Sequence, residues 1–158
     1  MRSTTFEEFF HAERDGLFGA LVLITGNRHE AEELAQDAFL AVWERWDRVE
    51  SMANPAGYLY RTAMNGFRKR RRRAAVALRR VVRSQADRDV FAEADARQVV
   101  AGALAGLSRR QRAALVLTEL LGFTSEEAGR ALGIKAVTVR ALASQGRAAM
   151  KRSVGAER

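Results

Sequence analysis

Apolar residues recur every three or four positions through most of the chain, and no stretch alternates between apolar and polar residues at the period of a strand. The clearest case lies between residues 28 and 46, where the apolar positions are Ala31, Leu34, Ala35, Ala38, Phe39, Val42, Trp43 and Trp46. A period of three to four residues is typical of helices that bury one face. The pattern therefore predicts an all-α fold.

Residues that begin and end helices stand at the edges of these patterns. Five residues are placed to cap helix N-termini: Thr5, Asn27, Asn54, Ser108 and Thr124. Thr5, Ser108 and Thr124 are each followed three positions later by Glu or Gln, as in a capping box. Asn27 has Glu30 at the same spacing, and Asn54 is followed by Pro55 at a first helical position. Glycines at the C-terminal ends are Gly26, Gly122 and Gly133. These signals predict a helix from Arg28 to Trp46 and another that runs from Pro55 into an arginine block.

The apolar pattern divides the chain into two small helical bundles joined by a linker. Residues 1–73 form the first unit, and residues 99–152 form the second, which precedes a short tail at 153–158. The stretch between them, residues 74–98, is rich in Ala, Arg, Asp and Glu and has few large apolar residues. Such a composition favours a linker that is partly helical.

Charge changes sign along the chain. The total is +8, from 27 basic and 19 acidic residues. Residues 1–67 carry a net charge of −5, residues 68–83 carry +9, residues 84–107 carry −2 and residues 108–158 carry +6. A basic excess favours a polyanionic partner such as nucleic acid. The acidic first part indicates a second partner surface of different chemistry.

Composition also excludes several classes of protein. The chain has no Cys and only two His, which excludes a disulfide scaffold, a thiol nucleophile and a multi-His metal site. No apolar run approaches the roughly 18 residues of a spanning helix, and no secretion signal is visible at the start. We therefore expect a cytoplasmic protein with no membrane partner.

The strongest chemical pattern is a helix-turn-helix near the C-terminus, in which Gly133 and Ile134 separate helices predicted over 124–132 and 136–150. A small residue at Ala128 and the glycine turn allow the two helices to cross closely. The second helix packs Val139 and Leu142 or Ala143 inward. In this motif the second helix enters the major groove. The outward residues expected to contact DNA are Thr138, Arg140, Ala141, Ser144 and Arg147.

Taken alone, that pattern also fits an ordinary αα-hairpin with a solvated basic face. Three arginines lie just upstream, at Arg109, Arg110 and Arg112. They favour DNA binding, since phosphate contacts flank a reading helix in protein–DNA complexes.

The helix predicted from Pro55 onwards has two faces. Its buried stripe comprises Leu59, Ala63 and Phe67. A second face, at spacings of three and four, comprises Tyr58, Arg61, Asn65, Arg68 and Arg72. An aromatic ring, an amide and several guanidiniums suit stacking on unpaired bases and holding their backbone. A solvated arginine run beside a core-edge tyrosine is the alternative, but the set as a whole favours nucleic acid.

The polar side of the helix from Arg28 to Trp46 is acidic. It comprises Glu30, Glu33, Asp37 and Glu44, with Gln36. Glu33 and Asp37 lie one turn apart, a spacing that also suits a metal or an acid–base pair. No third ligand is evident, and His29-Glu30 lacks the second His of a zinc-protease motif. A solvated face and a protein-docking face remain open.

Together, these motifs resemble extracytoplasmic-function (ECF) sigma factors. Residues 28–43 are similar to the family's core-polymerase-binding motif, and residues 55–65 resemble its −10-reading helix. Residues 107–112 and the helix-turn-helix resemble region 4. The resemblance covers most of the chain, about residues 6–73 and 99–152, in the family's order.

The resemblance implies roles for the candidate residues, with region 2 in 1–73 and region 4 in 99–152. The residues that would dock on the clamp helices of the polymerase β′ subunit are Glu33, Gln36, Asp37 and Leu40. Those that would bind the melted −10 element are Tyr58, Arg61, Asn65 and Arg68. The loop 47–54 would capture a flipped base, and the helix 136–150 would read the −35 element.

The resemblance also implies a protein with no catalytic residue, no metal and no cofactor, and it implies partners. They are core RNA polymerase, through the β′ clamp helices and the β flap, promoter DNA that is duplex at −35 and single-stranded at −10, and an anti-sigma factor. Promoter elements about 17 bp apart are separated by roughly 58 Å. A 25-residue linker spans at most roughly 85 Å when extended, and about 38 Å as a helix, so an extended or half-helical linker can reach.

Two other functions remain open on the sequence alone. A free-standing helix-turn-helix regulator would bind duplex DNA without polymerase and would not need the acidic helix. A nucleic-acid-processing enzyme would use Glu33 and Asp37 to hold Mg²⁺.

Overall fold

The computed structural model describes the backbone of residues 3–77 and 98–156, and all regular elements in these ranges are helical. The helices are α1 (Phe6–Thr25), α2 (Arg28–Glu44), α3 (Trp46–Val49), α4 (Pro55–Ala77), α5 (Gln98–Ala105), α6 (Arg109–Leu115), α7 (Ser125–Leu132) and α8 (Ala136–Ala156). A π-helical turn, Val116–Leu120, follows α6. The predicted all-α class is confirmed, with α1–α4 in one bundle and α5–α8 in a second that contains the helix-turn-helix.

Local capping determines where the helices begin and end. All three predicted capping boxes form, at Thr5, Ser108 and Thr124. In the first, the Thr5 hydroxyl accepts from the Glu8 backbone N–H at 3.1 Å, and the Glu8 carboxylate accepts from the Thr5 N–H at 3.0 Å. The glycines expected at helix ends all have left-handed backbone: Gly26, Gly122 and Gly133. Only glycine adopts this conformation without strain, so each ends its helix sharply.

The N-terminal bundle packs α1 and α4 against α2. Its fully buried side chains include Leu17, Leu21, Ile24, Leu34, Val42, Leu59, Met64 and Phe67. An aromatic cluster closes one end, where the Phe10 and Phe39 rings meet edge to face at 4.8 Å and the Phe6 and Trp46 rings at 5.6 Å. The stripe predicted on α4 is therefore buried as expected, and Tyr60 and Met64 add to it.

The prediction of one helix from Arg28 to Trp46 is wrong at its end. Helix α2 stops at Glu44, because Arg45 has a non-helical backbone with φ −121°, and α3 begins at Trp46. The break turns the Trp46 ring into the aromatic cluster. It also makes part of the predicted loop 47–54 helical, since α3 extends to Val49.

Helix α4 continues through the arginine block to Ala77, so the first residues of the predicted linker are helical. Helix α5 begins at Gln98. The rest of the predicted linker, residues 78–97, lies outside the described residues.

The helix-turn-helix depends on two glycines. A Cβ added at Gly129 would stand 2.7 Å from the carbonyl oxygen of Ile134, so the close turn requires glycine there. A Cβ at Gly146 would stand 2.7 Å from Leu115 Cδ1, and α8 therefore approaches α6 closely. Of the two alternatives for the inward side of α8, Ala143 is the buried residue. Helix α8 extends to Ala156, beyond the predicted residue 150.

The two bundles pack against each other and share one continuous apolar core. Helix α1 contacts α6, and α4 contacts α7. The Tyr60 and Phe123 rings meet at 5.8 Å and 71° across this contact. Both terminal nitrogens of Arg109 donate to the Glu30 carboxylate at 3.1 Å. Within the described ranges, no helix is long and apolar enough to cross a membrane.

Candidate nucleic-acid and protein interfaces

The outward face of α2 combines carboxylates with large exposed apolar side chains. We call this face the docking stripe; its residues are Glu33, Gln36, Asp37, Leu40, Trp43 and Glu44. Leu40 is 55% exposed and Trp43 is 56% exposed. The predicted docking residues therefore share one face. Large exposed apolar side chains in one patch are typical of a protein-binding surface rather than a solvated one.

Trp43 corrects the sequence prediction, because its periodicity had placed it among the inward apolar positions. It follows the fully buried Val42 by one residue, a rotation of about 100°, which brings its ring to the edge of the outward face. The break at Arg45 leaves the inward place to Trp46. The sequence could have shown this, because the inward positions from Ala31 to Val42 already follow helical spacing without Trp43.

Arg70 of α4 forms ion pairs with two carboxylates of the docking stripe. Its guanidinium donates to Glu33 at 2.6 Å and lies 3.7 Å from Asp37. The hydrogen bond from Arg70 lowers the pKa of Glu33, and the charges of Arg70 and His29 act in the same direction. The guanidinium offsets one of the two negative charges and lies against both carboxylates, where Mg²⁺ would have to bind. The alternative of a metal-dependent enzyme centred on Glu33 and Asp37 therefore loses its support.

The candidate −10 face of α4 borders a groove of about 910 Å³ between α2 and α4. Tyr58 and Asn65 line this groove together with the basic residues Lys69, Arg70 and Arg73. The α4 wall of this groove has the basic, aromatic and amide composition that suits single-stranded nucleic acid, whereas the α2 wall carries the carboxylates of Glu30, Asp37 and Glu44. The structure thus brings two of the four predicted −10 residues together with cations that the prediction had not included.

The other predicted −10 residues face the second bundle. Arg61 and Tyr58 border a smaller cavity of about 350 Å³, across which lie Phe123, Glu127 and Arg130. Further along α4, the Arg68 guanidinium packs against Gly133 and donates to the Asn65 side-chain oxygen. In this arrangement of the bundles, the helix-turn-helix covers part of the candidate −10 face.

The outward face of α8 contains most of the predicted reading residues. We call it the reading stripe; its exposed residues are Val137, Arg140, Ala141, Ser144 and Arg147. Thr138 is only half-buried and lies beside it. Val137 is 59% exposed and was not predicted as a contact. It shares a face with Arg140 and Ala141 in the first turns of α8, and in helix-turn-helix proteins this part of the second helix meets the base edges.

Both arginines of the reading stripe are held by carboxylates from preceding elements. Arg140 lies 3.4 Å from Glu126 of α7, and Arg147 lies 2.6 Å from Glu119 of the π-helical turn. All four side chains are more than half exposed. Exposed pairs of this kind are weak, so they leave both guanidiniums available for another anionic or polar partner.

Two family models match the chain, and they follow each other along it. The Sigma-70 region 2 model matches residues 9–77, which hold the docking stripe and α4. The Sigma-70, region 4 model matches residues 97–150, which hold the helix-turn-helix.

Curated relatives are ECF and related sigma factors. The chain is 27% identical to the ECF RNA polymerase sigma factor SigE of Mycolicibacterium smegmatis over 90% of its own length and 59% of that protein. It is 27% identical to the RNA polymerase sigma-E factor of Streptomyces coelicolor over 85% of its length and 77% of that protein. The chain thus spans less than two thirds of the mycobacterial relative.

Solved structures share the fold across both bundles. The sigma factor RpoE in complex with the anti-sigma factor NepR from Bartonella quintana matches with a TM-score of 0.73 at 24% identity, covering 97% of this chain and 98% of that one. The PhyRSL–NepR complex from Sphingomonas sp. Fr1 matches with a TM-score of 0.65 at 20% identity, covering 94% and 88%. The region 2 and region 4 matches, in that order over the two bundles, and the sigma-factor relatives along most of the chain show that the protein belongs to the sigma-70 family, among its ECF members.

Proposed function

We propose that this chain binds core RNA polymerase and directs promoter-specific transcription initiation. The observation that carries the proposal is the docking stripe, where Leu40 and Trp43 are exposed beside the carboxylates of Glu33 and Asp37. A protein of net charge +8 that only bound DNA would gain nothing from an acidic, apolar patch, since DNA repels carboxylates. The stripe instead has the chemistry of a protein interface.

The two candidate nucleic-acid surfaces bind different elements of the promoter. Residues 1–73 act as region 2, where Tyr58, Arg61, Asn65 and Arg68 bind the melted −10 strand. Residues 99–152 act as region 4, whose reading stripe lies in the major groove of the −35 duplex. Stacking on Tyr58 requires an unpaired base, whereas the arginines of α8 match guanine edges and phosphates in a duplex. The chain forms no covalent bond itself and acts in the cytoplasm with the polymerase.

An anti-sigma factor is the third partner in this proposal. The Bartonella quintana sigma factor RpoE, which shares the fold of this chain, was solved in complex with the anti-sigma factor NepR. Docking of an anti-sigma factor onto the packed bundles would keep the candidate −10 face covered.

The docking assignment is tested by truncating the apolar pair. We expect Leu40→Ala/Trp43→Ala to weaken core polymerase binding by about 2 kcal/mol or more, roughly 30-fold, because buried aromatic anchors dominate interfaces. The measurement is a titration of labelled chain with purified core polymerase. This pair is a cleaner test than reversing Glu33 and Asp37, which would also break the ion pairs with Arg70.

The matched control is Leu120→Ala/Val154→Ala, which removes two exposed apolar side chains outside the stripe. Control and wild type should bind core polymerase alike. Equal binding by all three proteins would refute the docking assignment. A chain that ignored core polymerase but selected duplex sites would be a free-standing regulator.

The melting assignment is tested at Asn65 and Tyr58. We expect Asn65→Ala and Tyr58→Ala each to reduce open-complex formation much more than closed-complex binding, since base–aromatic stacking is worth about 1–3 kcal/mol. Permanganate reactivity of unpaired thymines, with reconstituted polymerase, measures melting. A pre-melted bubble template should restore part of the activity if the residues assist opening. Wild-type melting by both variants would leave α4 as a non-specific DNA contact.

A further inference from the structure

A cavity of about 390 Å³ lies between α4, α6 and the turn of the helix-turn-helix. Its charged lining consists of Arg68, Arg71, Arg72 and Arg110. The rest of the lining is apolar or glycine, and none of the lining residues carries a carboxylate. Four positive charges therefore surround one small concave space.

The lack of carboxylates distinguishes these arginines from their neighbours. Arg70, on another face of α4, pairs with Glu33 and Asp37, and Arg109 pairs with Glu30. Among the residues whose side chains the structure describes, no carboxylate forms an ion pair with any of the four cavity arginines. Solvated surface arginines explain Arg72 and Arg110, which are exposed, but not the two that are partly buried.

The partly buried arginines have polar or aromatic neighbours but no anionic partner among the described residues: Arg68 donates to Asn65, and the Arg71 guanidinium lies 6.0 Å from the centroid of the Phe67 ring. Arg68 Nε is fully buried and has no acceptor among the described residues. Burial lowers the pKa of Arg71, and the charges of Arg110 and Arg109 lower it further. A guanidinium stays protonated despite such shifts, so the repulsion and the lost hydration persist until an anion offsets them.

We propose that this cavity is a binding site for a small oligophosphate, a compound with adjacent phosphate groups. Four guanidiniums around a small volume require a compact anion with several charges, which adjacent phosphates provide. Guanidiniums also bind phosphate oxygens through two parallel hydrogen bonds.

The position of the site makes the ligand a regulator of the proposed promoter recognition, on which this part of the inference rests. Arg68, Arg71 and Arg72 belong to α4, whereas Arg110 and Gly133 belong to the second bundle. A ligand that contacts both bundles binds only while they are packed together. By linkage it stabilises that arrangement, in which the helix-turn-helix covers part of the candidate −10 face, and opposes promoter binding.

The binding test is calorimetric titration of the full chain with sodium tripolyphosphate at about 0.15 M salt, where long-range attraction is screened. We expect saturable binding, weakened at least about tenfold in Arg71→Gln/Arg110→Gln, since each lost pair involves a charge-assisted hydrogen bond. The matched control, Arg48→Gln/Arg152→Gln, also removes one positive charge from each bundle, in both cases from an exposed arginine outside the cavity. It should bind within about twofold of wild type.

Two results of this titration would overturn the proposal. One is the absence of saturable tripolyphosphate binding to the wild type, and the other is equal weakening of tripolyphosphate binding in the site and control pairs. A single variant, Arg72→Gln, keeps the test valid if the double variant unfolds, because Arg72 is exposed; it should still weaken binding severalfold. Small-angle scattering gives the second readout: tripolyphosphate should leave the wild type compact and shift any extended population towards that state.

A phosphate of the DNA backbone is the competing source of the same chemistry. If Arg71→Gln/Arg110→Gln weakened binding of a promoter oligonucleotide as much as it weakened tripolyphosphate binding, the cavity would be a DNA contact and the proposal would fail. The titration contains no polymerase. A negative tripolyphosphate titration therefore says nothing against polymerase docking or promoter melting. Negative docking or melting experiments likewise leave the result of the titration valid.

Discussion

Three exposed apolar side chains lie within the candidate contact surfaces of this protein. Leu40 and Trp43 interrupt an acidic face of α2, and Val137 lies among the polar and small residues of the reading stripe. Scattered exposed apolar residues are ordinary, but these coincide with residues already singled out for their charge. At the scale of single residues, we therefore expect a partner to bind where an exposed apolar side chain coincides with a set of candidate polar residues.

Val137 is expected to read a thymine in the −35 element. The C5-methyl group of thymine is the apolar feature of the major groove, and covering one methyl-sized group is worth about 0.8 kcal/mol, about fourfold in affinity. After the preferred −35 sequence is selected from a random library, replacing the contacted thymine by deoxyuridine should cost wild type about fourfold. The same replacement should cost Val137→Ala almost nothing.

Thymines outside the −35 element provide the control, and replacing them should affect neither protein. If deoxyuridine weakened wild type and Val137→Ala equally, another side chain would contact the methyl group. If neither protein responded at any thymine, the reading stripe would use only its polar residues.

At the scale of elements, close helix packing depends on glycines inside helices. Gly129 lies in α7 where the chain turns back, and Gly146 lies in α8 against Leu115. In contrast, a Cβ added at Gly19 of α1 meets nothing within 4 Å. Glycines in helices are usually unfavourable, so the surrounding space decides whether alanine helps or harms.

Gly129→Ala and Gly19→Ala should therefore change stability in opposite directions. The first forces backbone apart at the turn and should cost about 1–3 kcal/mol of unfolding free energy, as overpacking does. The second should add about 0.5–1 kcal/mol through helix propensity alone. Urea unfolding followed by circular dichroism measures both. A neutral Gly129→Ala would mean that the turn can widen freely, and the reading helix would not be rigidly placed.

At the scale of the whole molecule, the described arrangement is compact and differs from what a promoter requires. Elements about 17 bp apart lie roughly 58 Å apart, whereas here α4 contacts α7 directly. The bundles must separate before both elements are bound, so the contacts between them oppose promoter binding. The ion pair between Glu30 and Arg109 is one such contact, with side-chain exposures of only 17% and 25%.

Breaking this ion pair should loosen the compact arrangement. We expect Glu30→Gln to raise the radius of gyration in small-angle scattering, because neutralising Glu30 removes the two charge-assisted hydrogen bonds that join it to Arg109 across the bundles. The reversed pair Glu30→Arg/Arg109→Glu should restore compactness in part. Glu32→Gln, an exposed carboxylate on the same helix, is the control and should change nothing. An unchanged radius in all variants would mean that apolar contacts such as Tyr60 with Phe123 suffice.

The sequence predicts those parts of the candidate sites whose residues all lie on a single helix. The residues of the docking stripe, of the α4 face and of the reading stripe recur at helical spacing, so each set could be found from its period. The side chains that lie opposite them could not. Arg70 reaches Glu33 across 37 positions of sequence, and Phe123 covers Tyr60 from another bundle.

The sequence by itself determined the helical class, the N-terminal caps, the glycine stops and the order of the two bundles, because these depend on interactions within three or four residues. Only the tertiary structure decided which neighbours those helices meet. Glu30 and Arg109 stand 79 positions apart, and nothing local specifies that they pair. The same holds for the arginine-lined cavity, whose walls come from α4 and α6. Local periodicity orients a side chain around its own helix, whereas packing of the shared apolar core decides what stands opposite it.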